Sequence, residues 1–180
     1  DSNPGLLWEG KGVRQFAGLG SYAEKMLLHE NAVVKIEKDM PLQQAALIGC
    51  GVTTGVGAAL KTANVQAGST VVVFGAGGVG LSAIQGARIA GARTIIAVDR
   101  IEHKLATARE LGATHSVDAS TEDAVQKVQE LTGGGADYAF ECVGLKVLAE
   151  QCWAAIRPGG TATVVGMIPQ GEMVEIPGPE

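Results

Sequence analysis

The stretch Thr70–Gly80, TVVVFGAGGVG, decides the fold, together with TIIAVD at Thr94–Asp99. Thr70–Phe74 is β-branched or aromatic throughout and reads as a buried strand. The glycines that follow read as a turn opening a helix, and Asp99 closes a second strand. Gly75 permits the tight turn, Gly77 leaves room for a pyrophosphate, and Gly80 lets helix and strand pack closely. Gly78 and Val79 complete the helix start, with Val79 expected beneath the nicotinamide end. Helix-terminal N–H groups and their partial positive charge suit a phosphate. This context, rather than glycine spacing alone, marks a dinucleotide cradle.

Asp99 lies 24 positions after Gly75, near the roughly 20 expected of a ribose-binding acid. Its carboxylate can accept hydrogen bonds from both adenosine-ribose hydroxyls. It would also repel a 2′-phosphate, by about 4 kcal/mol for like charges 4 Å apart at an effective dielectric near 20, before screening. That favours NAD over NADP. Arg100, next in sequence, could receive a 2′-phosphate. The alternative role of Asp99 is to cap a helix over Ile101–Leu111, and the two roles can coexist.

Strands and helices alternate from Thr70 onward. Strands are expected at Val71–Phe74, Thr94–Val98, His115–Val117, Tyr138–Cys142 and Ala162–Val165. Helices are expected at Val79–Ala90, Glu102–Leu111, Glu122–Leu131 and Lys146–Ile156. Gly112 and Gly133 stand where the second and third helices stop. The alternation predicts an α/β fold, a doubly wound parallel sheet of the Rossmann type with right-handed crossovers. Five of the usual six strands are present, so the fifth is expected to be an open edge that invites association. Upstream, Gly20–Ile36 reads as extended with a turn at His29-Glu30-Asn31. A helix is expected from Pro41 and another over Thr54–Ala63.

Composition sets bounds. The chain has 180 residues with 46% apolar and 18% charged, a balance that supports a packed core and excludes disorder. Its 26 glycines show no short period, which excludes collagen-like and repeat architectures. Net charge is −5 with no basic stripe, so nucleic acid is not an expected partner. No uninterrupted apolar run approaches about 18 residues, so no membrane span is expected. The start, DSNPGLLWEGKG, lacks an initiator Met and a leader, and reads as a piece of a longer or processed chain. Cys50, Cys142 and Cys152 are widely spaced, as reduced thiols of a cytoplasmic protein would be.

Taken alone, Cys50 in LIGCGVTTG reads as a small apolar residue, because no second cysteine or histidine stands at metal-ligand spacing. The ordered set GCGVTTG, VFGAGGVG, AVDR, ELGAT, FECVG and VVG, however, closely resembles the zinc-dependent medium-chain alcohol dehydrogenases. The resemblance runs over essentially the whole chain and is most specific in the first three motifs. It implies that Cys50 is a ligand of a catalytic zinc, a role suited to a thiolate. It implies that Thr54 lies near the nicotinamide and takes part in catalysis. It sets Lys104 beside Asp99 at the adenosine ribose. Cys142 and Val143 would approach the cofactor, and Val165, Gly166 and Met167 the nicotinamide.

The resemblance further implies two domains. Residues 1–48 would be the end of a GroES-like catalytic domain, a short β-rich remnant. Residues 49–180 would be the NAD-binding domain, ending before its last strand. Two further zinc ligands, the proton relay and a structural-zinc lobe would lie upstream of Asp1. The implied activity is NAD-linked oxidation of an alcohol to an aldehyde or ketone, with zinc as Lewis acid and a homo-oligomeric enzyme. Two other readings stay open: a catalytically incomplete NAD-binding module, and a zinc-free quinone-reductase-like relative.

Overall fold

The computed structural model describes residues 6–13 and 21–178. Gly20, the first residue of the expected extended stretch, lies outside these. The chain divides into two compact units, Asp1–Pro41 and Leu42–Glu180. The division falls at 41/42, where the helical run that starts at Leu42 opens the second unit.

In the first unit, β1 (Leu6–Trp8) and β2 (Lys11–Val13) form an antiparallel hairpin in the register Leu6↔Val13 and Trp8↔Lys11. Glu9 and Gly10 turn it with φ of 48° and 74°, the paired positive values a two-residue hairpin turn demands. The turn expected at His29-Glu30-Asn31 is a short 3-10 helix over Glu30–Ala32, capped by Asn31 N–H donating to His29 Nδ1 at 3.2 Å. Residues 21–36 are otherwise irregular or extended and form no strand. The apolar alternation there lacks a ladder partner among the described residues.

The second unit opens with a helical run, Leu42–Thr62. It passes through α1 (Leu42–Leu47), a π-turn (Ile48–Val52), α2 (Thr53–Gly57) and a second π-turn (Ala58–Thr62). Two helices expected separately are thus fused, since wider π-turns absorb the glycines that looked like breaks. The run has mean hydropathy 1.3 over its most apolar window and is long enough to cross a membrane by length and composition. This corrects the expectation that no segment reaches that size. Its Gly55, Ala58 and Ala59 face is nevertheless buried in this protein. It packs on α3 (Gly78–Ile89), where a Cβ on Gly86 would meet Ala59 Cβ at 2.9 Å and Val56 Cα at 3.0 Å.

A five-stranded parallel sheet follows in the order β5-β4-β3-β6-β7. Its strands are β3 (Thr70–Phe74), β4 (Thr94–Asp99), β5 (His115–Asp118), β6 (Ala136–Glu141) and β7 (Ile156–Val164). The connecting helices are α3, α4 (Glu102–Leu111), α5 (Ala124–Thr132) and α6 (Lys146–Ala155). The period of two divides β3 between two cores. Val71 and Val73 join Ile95, Ala97 and Ile84 on one face, while Val72 and Phe74 join Ile96, Val98, Val128 and Cys152 on the other. All four β3 side chains are fully enclosed, each contributing about 1.5–3 kcal/mol by burial. Gly112 (φ 126°) and Gly133 (φ 73°) stop α4 and α5 as expected.

β7 begins six residues before the expected Ala162. Pro158-Gly159-Gly160 reads as a turn, but here lies within the strand, next to a register shift opposite Ala136/Tyr138. Arg157 anchors this end, its Nε donating to Asp137 Oδ1 at 2.6 Å. Asp137 Oδ2 in turn accepts from Thr70 N and Oγ1 at 2.7 and 2.8 Å. Among the described residues β7 pairs with β6 alone, so it stands at the sheet edge.

Candidate cofactor cleft at the strand switch point

The strand order reverses between β3 and β6, since β3 leads to β4 on one side while β6 opens the other half. Crevices at such points, beyond the carboxyl ends of parallel strands, hold ligands in this architecture. Here the glycine turn occupies that position. Gly75 has φ 93°, and a Cβ on it would strike Val143 Cγ2. Gly80 is equally constrained: its Cβ would strike Gly75 O and lie 2.9 Å from Gly75 C. Gly77 and Gly78 differ, with nothing within 4 Å of a Cβ. The turn is therefore tightly packed beneath and open above.

Gly77 caps α3, and Leu81 N–H closes the first helical bond, to Gly77 O at 2.8 Å. The preceding amides have no acceptor within the helix. Gly75 N–H is spent on Val98 O at 2.8 Å. Ala76 N–H goes to Asp99 Oδ2, also at 2.8 Å.

That last bond was not foreseen. Asp99 Oδ1 also accepts from Arg100 N at 2.8 Å and Ile101 N at 3.1 Å. The α4 cap is Ile101, so Asp99 braces the approach to the helix rather than capping it. One carboxylate thus ties the end of β4 to the glycine turn, and Asp99 also lines the cleft beside it. Spacing located Asp99, but no sequence signal distinguishes a ribose acceptor from a turn brace.

A cleft of about 400 Å³ opens beside it, lined by Gly75, Asp99, Arg100, Ile101, Lys104, Val143 and Leu145 among others, within the range of ligand pockets. Asp99, Arg100, Lys104 and Val143 are therefore brought together in one cleft. Cys142 is not among the lining residues. It packs against the first core, and its thiol is pushed up to about 12, chiefly by burial and secondarily by the charge of Glu141. A second cleft, of about 360 Å³, brings Thr53, Thr54 and Lys61 of the long helix against Thr163, Val164 and Val165. Thr54 and Val165 thus meet. Val79 is half-buried in the first turn of α3. Gly166 and the exposed Met167 form the turn after β7, packed on Gly144, whose Cβ would lie 2.6 Å from Met167 O.

Glu141 escaped the sequence reading. It is fully enclosed at the end of β6, and its Oε1 accepts from Val143 N at 2.8 Å and Gly144 N at 2.7 Å. An acid at the end of a core strand, three residues before Gly144, was the available signal.

The metal donors are incomplete. Cys50 is an exposed, free thiol in the first π-turn. Among the described residues no group of three or more His, Cys, Asp or Glu is gathered closely enough to hold a metal ion. A catalytic zinc site needs about three protein ligands, so the described residues do not make one.

The sequence profile of the zinc-binding dehydrogenases matches residues 78–179. S-(hydroxymethyl)glutathione dehydrogenase of Saccharomyces cerevisiae is 41% identical over 172 residues, covering 92% of this chain and 45% of that protein. The chain thus spans about half the length of this curated relative. An alcohol dehydrogenase zinc-binding domain protein from Burkholderia ambifaria superposes with TM-score 0.78 at 46% identity, over 81% of this chain and 40% of that one. A zinc-binding dehydrogenase from Sinorhizobium meliloti 1021, bound to NADP, gives 0.68 at 37% identity, over 71% and 38%. With the family profile matched over residues 78–179, a curated relative 41% identical and these folds superposing, the chain belongs to the zinc-binding dehydrogenases, the medium-chain alcohol dehydrogenase family.

Proposed function

We propose that this chain is the cofactor-binding half of an NAD-linked alcohol dehydrogenase that oxidises an alcohol to an aldehyde or ketone. The observation that carries the reading is the glycine turn at the strand switch point, with Asp99 in the cleft it lines and Thr54 and Val165 meeting in a second. A dinucleotide lying across the turn would rest its adenosine in the first cleft and its pyrophosphate on the Gly77–Gly80 amides. Asp99 would accept the ribose hydroxyls, and Lys104 would lie alongside. The nicotinamide end would then reach the β6–β7 side, near Thr54, Val165, Gly166 and Met167. Bound there, the dinucleotide would supply the hydride-accepting chemistry for alcohol oxidation, while the protein would supply orientation and electrostatics.

Cys50 provides one thiolate toward the family's zinc, and one thiolate does not hold it, so no metal-assisted step is assigned to this chain. That incomplete donor set favours a second reading, a dinucleotide-binding module without catalysis. The relative bound to NADP and the position of Arg100 in the cleft keep NADP as the competing cofactor. The open β7 edge supports assembly of like chains.

Titration calorimetry of the 180-residue chain with NAD and NADP tests the cofactor reading, and NAD is expected to bind more tightly. Zinc content and NAD-dependent alcohol oxidation decide the rest. Stoichiometric zinc with turnover would defeat the module reading, and absence of binding by either dinucleotide would defeat both.

A further inference from the structure

Among the described residues Glu141 is the one buried ionisable side chain assigned neither to the core nor to the thiols. Its Oε1 gathers Val143 N, Gly144 N and, at 3.5 Å, Leu145 N. This folds the turn that sets Val143 over Gly75 and Leu145 into the first cleft. Its Oε2 is sealed from solvent and has no hydrogen-bond partner. A Cβ on Gly166 would press on that same oxygen and on Gly144 N. No ion pair to Glu141 occurs among the described residues.

An enclosed carboxylate without a cation is costly to bury. A neutral amide oxygen in the same place would serve the three N–H donors, so holding the turn does not explain the charge. The unpartnered oxygen lies toward the loop after β7, on the side of the switch point away from Asp99. In the proposed cofactor reading, on which this inference rests, that side receives the nicotinamide. The oxidised ring carries a positive charge that reduction removes. Buried charges are screened by salt much less than exposed ones.

We propose that Glu141 sets the redox-state preference of the site: its enclosed carboxylate favours the cationic, oxidised dinucleotide over the reduced one, and its Oε1 holds the adenosine wall. Glu141 is a positioning and electrostatic residue, since the seal around it keeps it from touching the cofactor.

The test is calorimetric titration of the wild-type 180-residue chain, Glu141→Gln and Glu141→Asp with NAD+, NADH and AMP. Gln keeps an oxygen for the turn amides and deletes the charge. The expected result is that NAD+ affinity falls at least fivefold more than NADH affinity, with AMP binding within twofold of wild type. Asp keeps the charge on a shorter arm, so its NAD+/NADH ratio is expected to stay near wild type even where both affinities drop. Equal losses for NAD+ and NADH in Glu141→Gln, or an equal change of ratio in both variants, would overturn the proposal while leaving the cofactor site intact. A wild-type chain that binds none of the three ligands would overturn the cofactor reading itself, and this inference with it.

Discussion

Asp99→Asn separates the two duties of Asp99. The carboxylate serves Ala76 N–H through one oxygen and Arg100 N–H and Ile101 N–H through the other. Asn has a single oxygen, so it satisfies one side and turns an NH2 group on the other. Ala76 is 1% exposed, so water cannot replace a lost partner there. A charge-assisted hydrogen bond lost at a buried donor costs about 2 kcal/mol. At this chain length that lowers the melting temperature by roughly 6 °C. Loosening of the glycine turn weakens NAD and NADP by a common factor. The ribose role is therefore read from the ratio of affinities. The roughly 4 kcal/mol like-charge cost at 4 Å is reduced by salt and by the half-exposed setting. A residue of about 1.4 kcal/mol still moves the ratio tenfold toward NADP. Calorimetry with both cofactors, alongside thermal unfolding, reads the two effects independently. A lower melting temperature with an unchanged NADP/NAD ratio would show that Asp99 only braces the turn, and the ribose assignment would fall.

Two glycines of one turn are expected to fail differently. Gly80→Ala drives a Cβ onto Gly75 O and within 3.4 Å of Val73 Cγ1, so denaturant unfolding is expected to show a loss of about 2–3 kcal/mol. Gly77→Ala meets nothing within 4 Å and has φ −82°; its stability is expected to stay near wild type while NAD binding weakens at least roughly tenfold as the methyl blocks the pyrophosphate. The Asp137 network predicts a pH effect at the other end of the sheet. Burial raises its pKa, but hydrogen bonds from Thr70 and Arg157 outweigh that and hold it below the usual 3.8. A depressed carboxylate stabilises the fold above its unfolded value and loses that stabilisation as pH falls through the folded one. Urea unfolding at pH 7 and pH 3 is expected to show a smaller acid loss in Asp137→Asn than in wild type; identical losses would refute the assignment.

The sheet was legible because its central strands are enclosed on both faces. Val71–Phe74 and Ile95–Val98 are runs that only a two-sided core accommodates, and glycines mark the helix ends. The Glu9-Gly10 hairpin was not legible, since its turn lacks the Asn-Gly or Asp-Gly signal that identifies such turns. The start of β7 was hidden for a different reason. Pro158 removes an N–H that an edge strand can spare, so a local turn signature sits inside a strand. The fused helix at Leu42–Thr62 was obscured because glycine frequency suggests interruption, whereas tight packing on α3 demands glycine at positions such as Gly55. At the site, motif spacing located the turn of Gly75, Gly77 and Gly80 and the strand-end Asp99. It missed what their neighbours do with hydrogen bonds, because partners far apart in sequence leave no local pattern.

The two carboxylates at the carboxyl ends of β4 and β6 explain how so glycine-rich a turn holds one shape. Glycine loses more conformational freedom on ordering than any other residue, and this turn has four within six positions. Asp99 restrains it from the β4 side by accepting Ala76 N–H. Glu141 restrains it from the β6 side by fixing the turn that seats Val143 on Gly75. Each acid ends a strand adjacent to β3, and each collects the amides of the loop that follows it. The cradle is thus preorganised by groups that flank it, and its upper face stays free of side chains. Because the two braces act on opposite flanks without a shared partner, their stability losses on substitution are expected to be additive. A double variant of Asp99→Asn and Glu141→Gln whose loss differs from the summed single losses by more than about 0.5 kcal/mol would show that the braces act through one another.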